Sequence, residues 1–261
     1  MEHSADGYSR EFYEWVDRSS TAAARVVVPL VLQLVPVTSV IDVGCGTGGW
    51  LRAFAGRGVS DLLGLDSQRV PLDLIELDSE QFRAVDLTEP LTVERDFDLA
   101  ISLEVAEHLP EASAGAFIEF LCSLAPVVLF SAAIPGQEGE VHLNEQWPSY
   151  WATRFASHGF ESVDVLRPVL WENEEVDGFY RQNLLLYVRS ADRDRLILDA
   201  ATARLPSPPM SLVHPVTFTS YRTRAERKLS TPLSFRAHVR ALPGAFGRAM
   251  RRRFGPTGSP S

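Results

Sequence analysis

The most constraining feature of the sequence is the stretch VIDVGCGTGG at Val40–Gly49. Apolar, β-forming residues precede Gly44, Gly46 and Gly48, and a helical pattern follows. Glycine lets the backbone turn sharply and approach a ligand closely, and the first turn of a helix offers free N–H groups. The stretch therefore predicts a strand, a ligand-binding turn and a helix in direct succession.

The residue two places before the first glycine separates two kinds of ligand. Taken alone, the glycines also satisfy the dinucleotide pattern G-x-G-x-x-G, which is a weak signal by itself. Asp42 would repel a pyrophosphate, whereas its carboxylate can pair with a cationic amino group directly or through water. The sequence thus favours a cofactor that carries an ammonium group and an adenosine over one that carries two phosphates.

The chain beyond Ser39 alternates short apolar runs with helical stretches, which is the pattern of an α/β fold with a parallel sheet. Pro148 and Gly159 bracket one predicted helix, as helix ends prefer. The predicted helices are Gly49–Ala55, Ala112–Leu124 and Ser149–Ser157. The predicted strands are Val40–Val43, Leu62–Leu65, Arg83–Val85, Leu99–Ser102, Val127–Ser131, Ser162–Leu166 and Leu184–Val188.

The two ends of the chain differ from the region with the sheet pattern. Residues 1–38 predict a helical preface in two segments, and Pro29 should start, bend or break the second one. Residues 39–189 form the predicted central domain. Residues 190–261 form an extension, with a charged helix at Ala191–Leu205, a linker marked by PSPPM and Pro215, and a basic amphipathic segment at 233–254.

The segment DVGCGTG at residues 42–48 resembles motif I of the class I S-adenosylmethionine-dependent methyltransferases. Three landmarks follow in order: LLGLD ending at Asp66, AVDL at Asp86 and Leu87, and FDLAIS ending at Ser102. The resemblance implies S-adenosylmethionine as cofactor, with Asp66 at the ribose hydroxyls, Asp86 and the Leu87 N–H at the adenine, and Ser102 beside the methionine moiety. It also implies a Rossmann-like, mostly parallel seven-stranded sheet with helices on both faces, and a lid formed by the helical preface.

Each of these landmarks has a simpler interpretation when it is taken alone. Asp66 then caps the end of a strand, and Asp86 shapes a turn. Cys45 is interpreted as a small filler in the turn, because no general base is evident near it in the sequence. The order and spacing of all four landmarks favour the cofactor site.

The acceptor site is expected beyond the carboxyl ends of the strands, where an open α/β sheet has its crevice. The segment after strand four contains His108, a second candidate catalytic base that could also contact the cofactor or the acceptor. The segment resembles the E-H-L pattern of ubiquinone-biosynthesis-like methyltransferases, in which this histidine is often structural. After strand five, His142 is the candidate general base, because an imidazole with a pKa of about 6.5 takes a hydroxyl proton at neutral pH. The alternative is a histidine that braces the loop. Candidate acceptor-binding residues in this loop are Asn144, Glu145, Trp147 and Tyr150.

Charge is distributed unevenly along the chain. Residues 191–261 carry 13 basic and 4 acidic side chains, whereas residues 1–190 carry 12 basic and 30 acidic ones. Phosphate contacts need clustered Lys and Arg, so the acidic body argues against a nucleic-acid partner. The basic segment at 233–254 fits either an anionic membrane surface or, as the simpler interpretation, a helix packed on the body or in a homodimer.

Other features narrow the class of protein. Two cysteines, no signal-peptide pattern and no run of about 18 apolar residues predict a cytoplasmic protein. No acidic pattern of the catechol type follows strand four, so no metal site is predicted. The leading hypothesis is methyl transfer to a hydroxyl of a small acceptor, a sugar or secondary metabolite. The alternatives are N- or C-methylation, or a cofactor-binding scaffold whose tail recruits a membrane or a partner.

Overall fold

The computed structural model describes residues 9–137, 139, 141–195 and 209–230. Within these residues seven strands form one sheet: β1 (Ser39–Val43), β2 (Asp61–Asp66), β3 (Phe82–Ala84), β4 (Leu99–Leu103), β5 (Val127–Ser131), β6 (Phe160–Val163) and β7 (Leu185–Arg189). The strand order is β3-β2-β1-β4-β5-β7-β6. β1 to β5 pair in parallel, and β7 runs antiparallel to both of its neighbours. The predicted Rossmann-like, mostly parallel sheet is confirmed.

Helices cover both faces of this sheet. They are α1 (Arg10–Leu34), α2 (Gly49–Ala55), α3 (Ala114–Leu124), α4 (Pro148–Ser157), α5 (Arg167–Leu170), α6 (Gly178–Asn183) and α7 (Pro215–Ser230). α1 and α2 contribute to one hydrophobic core, and α3 and α4 contribute to the other. Both faces of the central strands are therefore buried, which explains why β4 and β5 each contain four apolar residues out of five.

The helical preface is one continuous helix, not the two segments that the sequence predicted. α1 runs through Pro29. A proline inside a helix removes one backbone hydrogen bond and costs about 3 kcal/mol. Val27, Val28 and Val31 are fully buried in the core beside α2, and each contributes roughly 1.5–3 kcal/mol. Their packing outweighs the effect of the proline, so the helix continues.

The sixth strand starts and ends earlier than predicted. Gly159 has a φ of +77° and turns the chain directly into β6 at Phe160. Asp164 leaves the strand to form a buried ion pair with Arg167, the first residue of α5. The predicted strand at Ser162–Leu166 was therefore wrong in both bounds, because a buried ion pair ends the strand where the apolar pattern continues.

The C-terminal extension also departs from the predictions. Residues Ser190–Arg195 form 3₁₀ turns instead of the first part of an α-helix. Pro215 was interpreted as part of a linker, yet it is the first residue of α7, a position where proline has no hydrogen bond to lose. The remainder of the predicted helix and the basic segment at 233–254 lie outside the described residues.

The chain divides into two compact units, Met1–Phe218 and Thr219–Ser261. The domain boundaries predicted after residues 38 and 189 stay predictions. None of the helices in the described part of the chain is long and apolar enough to cross a membrane.

Candidate active site

The glycine-rich turn leaves β1 and folds back against β2. The N–H groups of Gly44 and Cys45 both donate to the carbonyl oxygen of Leu65, at 2.7 and 3.1 Å. Gly44 has a φ of +89°, and a Cβ atom there would lie 2.9 Å from Cγ1 of Val105 and closer still to Cγ2. The turn therefore has room only for glycine where it passes the loop after β4.

The end of the turn is fastened to the carboxylate that ends β2. The Gly46 N–H donates to Oδ2 of Asp66 at 2.6 Å, and the Ser67 N–H donates to Oδ1 at 2.6 Å. Burial raises the pKa of Asp66, although both of these hydrogen bonds act in the opposite direction. Gly48, with a φ of +92°, then leads into α2. Asp66 is thus a capping residue of the turn, with further lone pairs available on each oxygen.

Asp42 lies near the end of β1 and is only 2% exposed. Its Oδ2 atom has no hydrogen-bond partner among the described residues. Burial, and then the charge of Asp66, raise its pKa well above the usual value. A buried carboxylate without a partner is unfavourable, so a bound cationic group would stabilise it. Burial also raises the pKa of the Cys45 thiol, which keeps it protonated and unsuited to act as a nucleophile.

The other predicted cofactor residues occupy three different environments. Asp86 is exposed, and its Oδ1 accepts hydrogen bonds from the backbone N–H and the hydroxyl of Thr88, which lower its pKa. Leu87 is partly buried against the core that α3 and α4 share. Ser102 is fully buried in β4, and within the described part of the chain its hydroxyl has no partner. The contacts of these residues with a cofactor stay predictions.

A partly buried glutamate directly after β4 anchors a polar network. Glu104 has a φ of +56°, and its N–H donates to the carbonyl oxygen of Ser131 at 3.0 Å. Its carboxyl accepts hydrogen bonds from Gln137 at 2.6 Å and from Asn183 at 3.1 Å. Burial raises its pKa, while the hydrogen bonds from its neighbours lower it. Glu104 thus joins β4 to the loop after β5 and to the end of α6.

A second carboxyl, Glu107, lies in the same loop. Its side chain is completely buried, and neither carboxyl oxygen has a hydrogen-bond partner in the described structure. Burial, and then the charge of Glu104, raise its pKa well above the usual value. Its backbone oxygen accepts from the N–H groups of Leu143 and Asn144, at 2.7 and 3.0 Å. These two bonds hold the loop after β5 against the loop after β4.

The two predicted catalytic histidines meet at this junction. The rings of His108 and His142 are edge to face, with centroids 4.9 Å apart. Nδ1 of His142 lies 2.8 Å from Oε1 of Glu145, whose Oε2 accepts from the N–H of Gly136 at 2.7 Å. Because a carboxylate can only accept, Nδ1 donates to Glu145, and in the neutral form of the ring the lone pair is then on Nε2. His108 has its Nδ1 atom 3.4 Å from the carbonyl oxygen of Val141.

The candidate acceptor-binding residues do not share one role. Glu145 orients His142, and Asn144 is 3% exposed with its Nδ2 atom unpaired within the described residues. Trp147 precedes α4 and is 39% exposed. Tyr150 packs within α4, with its ring 4.9 Å from that of Trp151 and beneath the guanidinium of Arg154. The first two residues belong to the histidine cluster, whereas Tyr150 has packing contacts on its own helix.

The site has two halves that adjoin each other. The cofactor half consists of the glycine turn with Asp42 and Asp66, and the histidine half consists of His108, His142 and their neighbours. Val105, which limits the space at Gly44, lies between the two glutamates in sequence. Burial raises the pKa of Tyr180, and the charges of Glu104 and Asp42 raise it further. Both carboxyls are therefore near the same tyrosine. The two halves form one polar region at the carboxyl ends of β1, β4 and β5.

Four residues of this region were missed by sequence reasoning: Glu104, Glu107, Gln137 and Asn183. The two glutamates left a signal, since two acidic residues three positions apart directly after a buried strand are unusual in an apolar pattern. Gln137 and Asn183 left no signal in the sequence, because only the folded chain brings them to Glu104.

Solved structures place the fold in a known class. The S-adenosylmethionine-bound amino pentose methyltransferase of calicheamicin biosynthesis from Micromonospora echinaspora matches 72% of this chain and 100% of its own, at 18% identity and a TM-score of 0.54. The sugar N-methyltransferase of a Streptoalloteichus species matches 72% of this chain and 96% of its own, at 16% identity and a TM-score of 0.52. At these identities the likeness shows the fold, which is that of the Rossmann-like methyltransferases.

The family is shown by the sequence itself. The chain belongs to the family of methyltransferase domains, whose profile matches residues 12–175. The ubiquinone biosynthesis O-methyltransferase of Acinetobacter baylyi is 34% identical over 80 residues, which are 28% of this chain. That match spans a third of the length of the curated relative.

Proposed function

We propose that the protein transfers a methyl group from S-adenosylmethionine to a hydroxyl group of a small acceptor, a sugar or a secondary metabolite. The observation that carries this proposal is the polar region in which Asp42, a buried carboxyl with an unpaired Oδ2 atom within the described residues, adjoins a cluster of two histidines and Glu107. The first feature suits the cofactor, and the second suits an acceptor with a proton to lose.

The cofactor half fits a ligand that carries an ammonium group and ribose hydroxyls. Asp42 gains a partner for its Oδ2 atom if an ammonium group binds at the end of β1. Asp66 is held in place by backbone N–H groups and retains lone pairs for hydroxyl donors. When bound, S-adenosylmethionine supplies an electrophilic methyl group, so the chain itself mainly has to align the acceptor and exclude water.

The histidine half of the site provides a group that can take a proton from the methyl acceptor. The Nε2 lone pair of His142 is oriented by Glu145, in the way that a carboxylate orients the histidine of a hydrolase triad. His142 has a side chain that is only 12% exposed, so a proton taken there is largely shielded from water. A hydroxyl group placed beside Nε2 would lose its proton to the imidazole as the methyl group is transferred.

N-methylation of an amino sugar is the second candidate. Two structures with this fold are an amino pentose methyltransferase and a sugar N-methyltransferase, and the carboxyls of Glu107, which is buried, and Glu104, which is partly buried, would attract a protonated amine. The hydroxyl acceptor is preferred, because an ammonium ion held between carboxylates keeps the proton that it must lose before it can attack.

The test supplies purified protein with methyl-labelled S-adenosylmethionine and an extract separated into small-molecule and macromolecular fractions. We expect the label in a small compound, and NMR of the product to show a methyl group on oxygen. A methyl group on nitrogen would replace the first candidate with the second. Label in protein or nucleic acid would contradict both.

The substitution Asp42→Asn is expected to make the free protein more stable while it weakens cofactor binding. The amide removes a buried carboxyl whose Oδ2 atom has no partner among the described residues, and it also removes the charge that would pair with the ammonium group. Loss of one charge-assisted hydrogen bond predicts roughly 10- to 100-fold weaker binding. Calorimetry with S-adenosylhomocysteine and a thermal melt measure the two effects.

The matched control for this substitution is Asp98→Asn. Asp98 accepts hydrogen bonds from Thr38 and Ser39 at the opposite end of β1. Its replacement should lower the melting temperature and leave the affinity unchanged. Asp42→Asn protein that is less stable and binds normally would show that Asp42 is a structural residue.

A further inference from the structure

Three side chains with metal-binding atoms meet where the loop after β4 crosses the loop after β5. Glu107, His108 and His142 each offer one oxygen or nitrogen atom, and these atoms all lie within 4.8 Å of one another. The sequence predicted no metal site, because no acidic pattern of the catechol type follows strand four. The folded chain brings the three residues together, which leads to the opposite inference.

The buried carboxyl of Glu107 is an independent observation that points to a ligand. Its side chain is 0% exposed, and both of its oxygens lack a hydrogen-bond partner among the residues described. Burying a carboxylate in this way is strongly unfavourable unless a cation or a proton compensates it. A second carboxyl, that of Glu104, belongs to the same loop and accepts hydrogen bonds from Gln137 and Asn183. This region therefore attracts positive charge.

The orientation of His142 is the one that a metal ligand requires. A histidine that binds a metal commonly donates its other ring N–H to a carboxylate, which fixes the tautomer and the ring. Nδ1 of His142 is held by Glu145 at 2.8 Å, so Nε2 is the nitrogen with a free lone pair. Glu145 is itself fixed by the Gly136 N–H at 2.7 Å.

Backbone hydrogen bonds help to hold the two loops together. The carbonyl oxygen of Glu107 accepts from the N–H groups of Leu143 and Asn144. These bonds are made by the two residues directly after His142 and hold this part of the loop beside Glu107. The cluster is therefore largely formed before any ligand arrives, which lowers the entropic penalty of binding.

We propose that Glu107, His108 and His142 bind a divalent cation of the first transition series, such as Zn²⁺, Mn²⁺ or Co²⁺. Two imidazoles and one carboxylate suit these ions, whereas Mg²⁺ and Ca²⁺ prefer oxygen ligands throughout. Three protein ligands leave at least one coordination position open.

The open coordination position would let the cation bind the acceptor during methyl transfer. This part of the inference rests on the proposed function. An acceptor hydroxyl bound there would be oriented and made more acidic. His142 would then act as a ligand, and its Nε2 lone pair would no longer be available to take the proton. If His142 is the general base, the rate of methyl transfer does not change when metal ions are removed. If His142 is a metal ligand, the rate falls.

Binding is tested first, without reference to activity. Protein freed of its purification tag and dialysed against EDTA is titrated calorimetrically with Zn²⁺ and with Co²⁺, whose visible absorption reports its coordination. We expect one ion per chain, which Mg²⁺ at equal concentration does not displace. Glu107→Gln and His142→Gln should weaken binding at least about 100-fold, and Glu145→Gln about 10-fold.

The variants include controls for folding and for unspecific binding. Glu107→Gln keeps the shape of the side chain and removes a buried charge, so its melting temperature should not fall. His158→Ala changes an exposed histidine at the end of α4 and should bind the ion like the original protein. Binding that never saturates, or that is equal in Glu107→Gln and the original protein, would overturn the site.

Methyl transfer by the EDTA-treated protein separates this inference from the proposed function. We expect the rate to fall at least about 10-fold and to return when Zn²⁺, Mn²⁺ or Co²⁺ is added. Full activity after chelation would reject the role of the cation and leave the methyltransferase proposal standing. Stoichiometric ion binding by a protein that methylates no acceptor would support the metal site and reject the methyltransferase proposal.

Discussion

Replacing Gly44 with alanine is expected to abolish detectable binding of S-adenosylhomocysteine and, with it, methyl transfer. The new Cβ would overlap with both methyl groups of Val105, one of them 2.9 Å away. The residue would also have to keep a φ of +89°, which costs a non-glycine residue about 1–2 kcal/mol. The strain is relieved only if the turn moves away from β2, where it caps the carboxylate of Asp66.

This effect has a matched control in Gly58, in the turn that follows α2. Gly58 has a φ of +91°, and a Cβ atom there would meet no atom within 4 Å. Gly58→Ala therefore has the same backbone penalty without the overlap. We expect it to lower the melting temperature by a few degrees and to leave the affinity for S-adenosylhomocysteine intact.

The partner of the overlap provides a second check. In the double variant Gly44→Ala, Val105→Ala the methyl groups of Val105 are absent, so part of the binding should return. Calorimetry measures the affinities, and circular dichroism confirms that each variant folds. Normal affinity in Gly44→Ala would show that the turn tolerates a side chain and that the close approach to Val105 has no functional role.

The glycine turn was predictable because its geometry is local. Asp42, the three glycines and the following helix are contiguous in sequence, and the backbone conformations they require can be deduced from residue type alone. Asp66 was predictable as a strand-end residue for the same reason. Its hydrogen bond with the Gly46 N–H was not, because β1 and β2 first have to pair in the right register.

The histidine cluster was only partly predictable. His108 and His142 could be proposed from their positions after strands four and five, since the carboxyl ends of parallel strands share one edge of a sheet. The pairing of the two loops depends on backbone bonds between Glu107 and residues 143 and 144, which leave no trace in the sequence. The role of Asn183 in holding Glu104 depends likewise on where α6 ends.

The prolines show how packing overrides local preference. Pro29 lies inside α1, because the buried valines around it fix the helix against the core. Pro215 begins α7, because a helix start tolerates proline. A residue that ends helices in isolation therefore gave wrong predictions at both positions. Whether a proline ends a helix depends on its position along that helix. The position depends in turn on where tertiary contacts let the helix begin and end.

The substitution His142→Ala is expected to lower kcat by about 10²- to 10⁴-fold, the range typical of a lost general base. His142 contacts His108 and Glu145, whereas the cofactor half is built from the glycine turn and two aspartates. The affinity for S-adenosylhomocysteine should therefore stay within about twofold of that of the original protein. A substitution outside the cofactor half is expected to change the binding free energy by only a few tenths of a kcal/mol. Initial rates with the identified acceptor and calorimetry measure the two quantities, with His158→Ala as the control that changes neither.

The metal content of the same variant identifies which role of His142 the loss reflects. If Nε2 takes the proton directly, His142→Ala is slow whether or not metal ions are present, and the original protein is insensitive to EDTA. If His142 is a ligand, the variant binds Zn²⁺ weakly, and a high concentration of the ion restores part of the rate by mass action. A variant with full activity would reject both roles and leave His142 as a brace that Glu145 holds in the loop after β5.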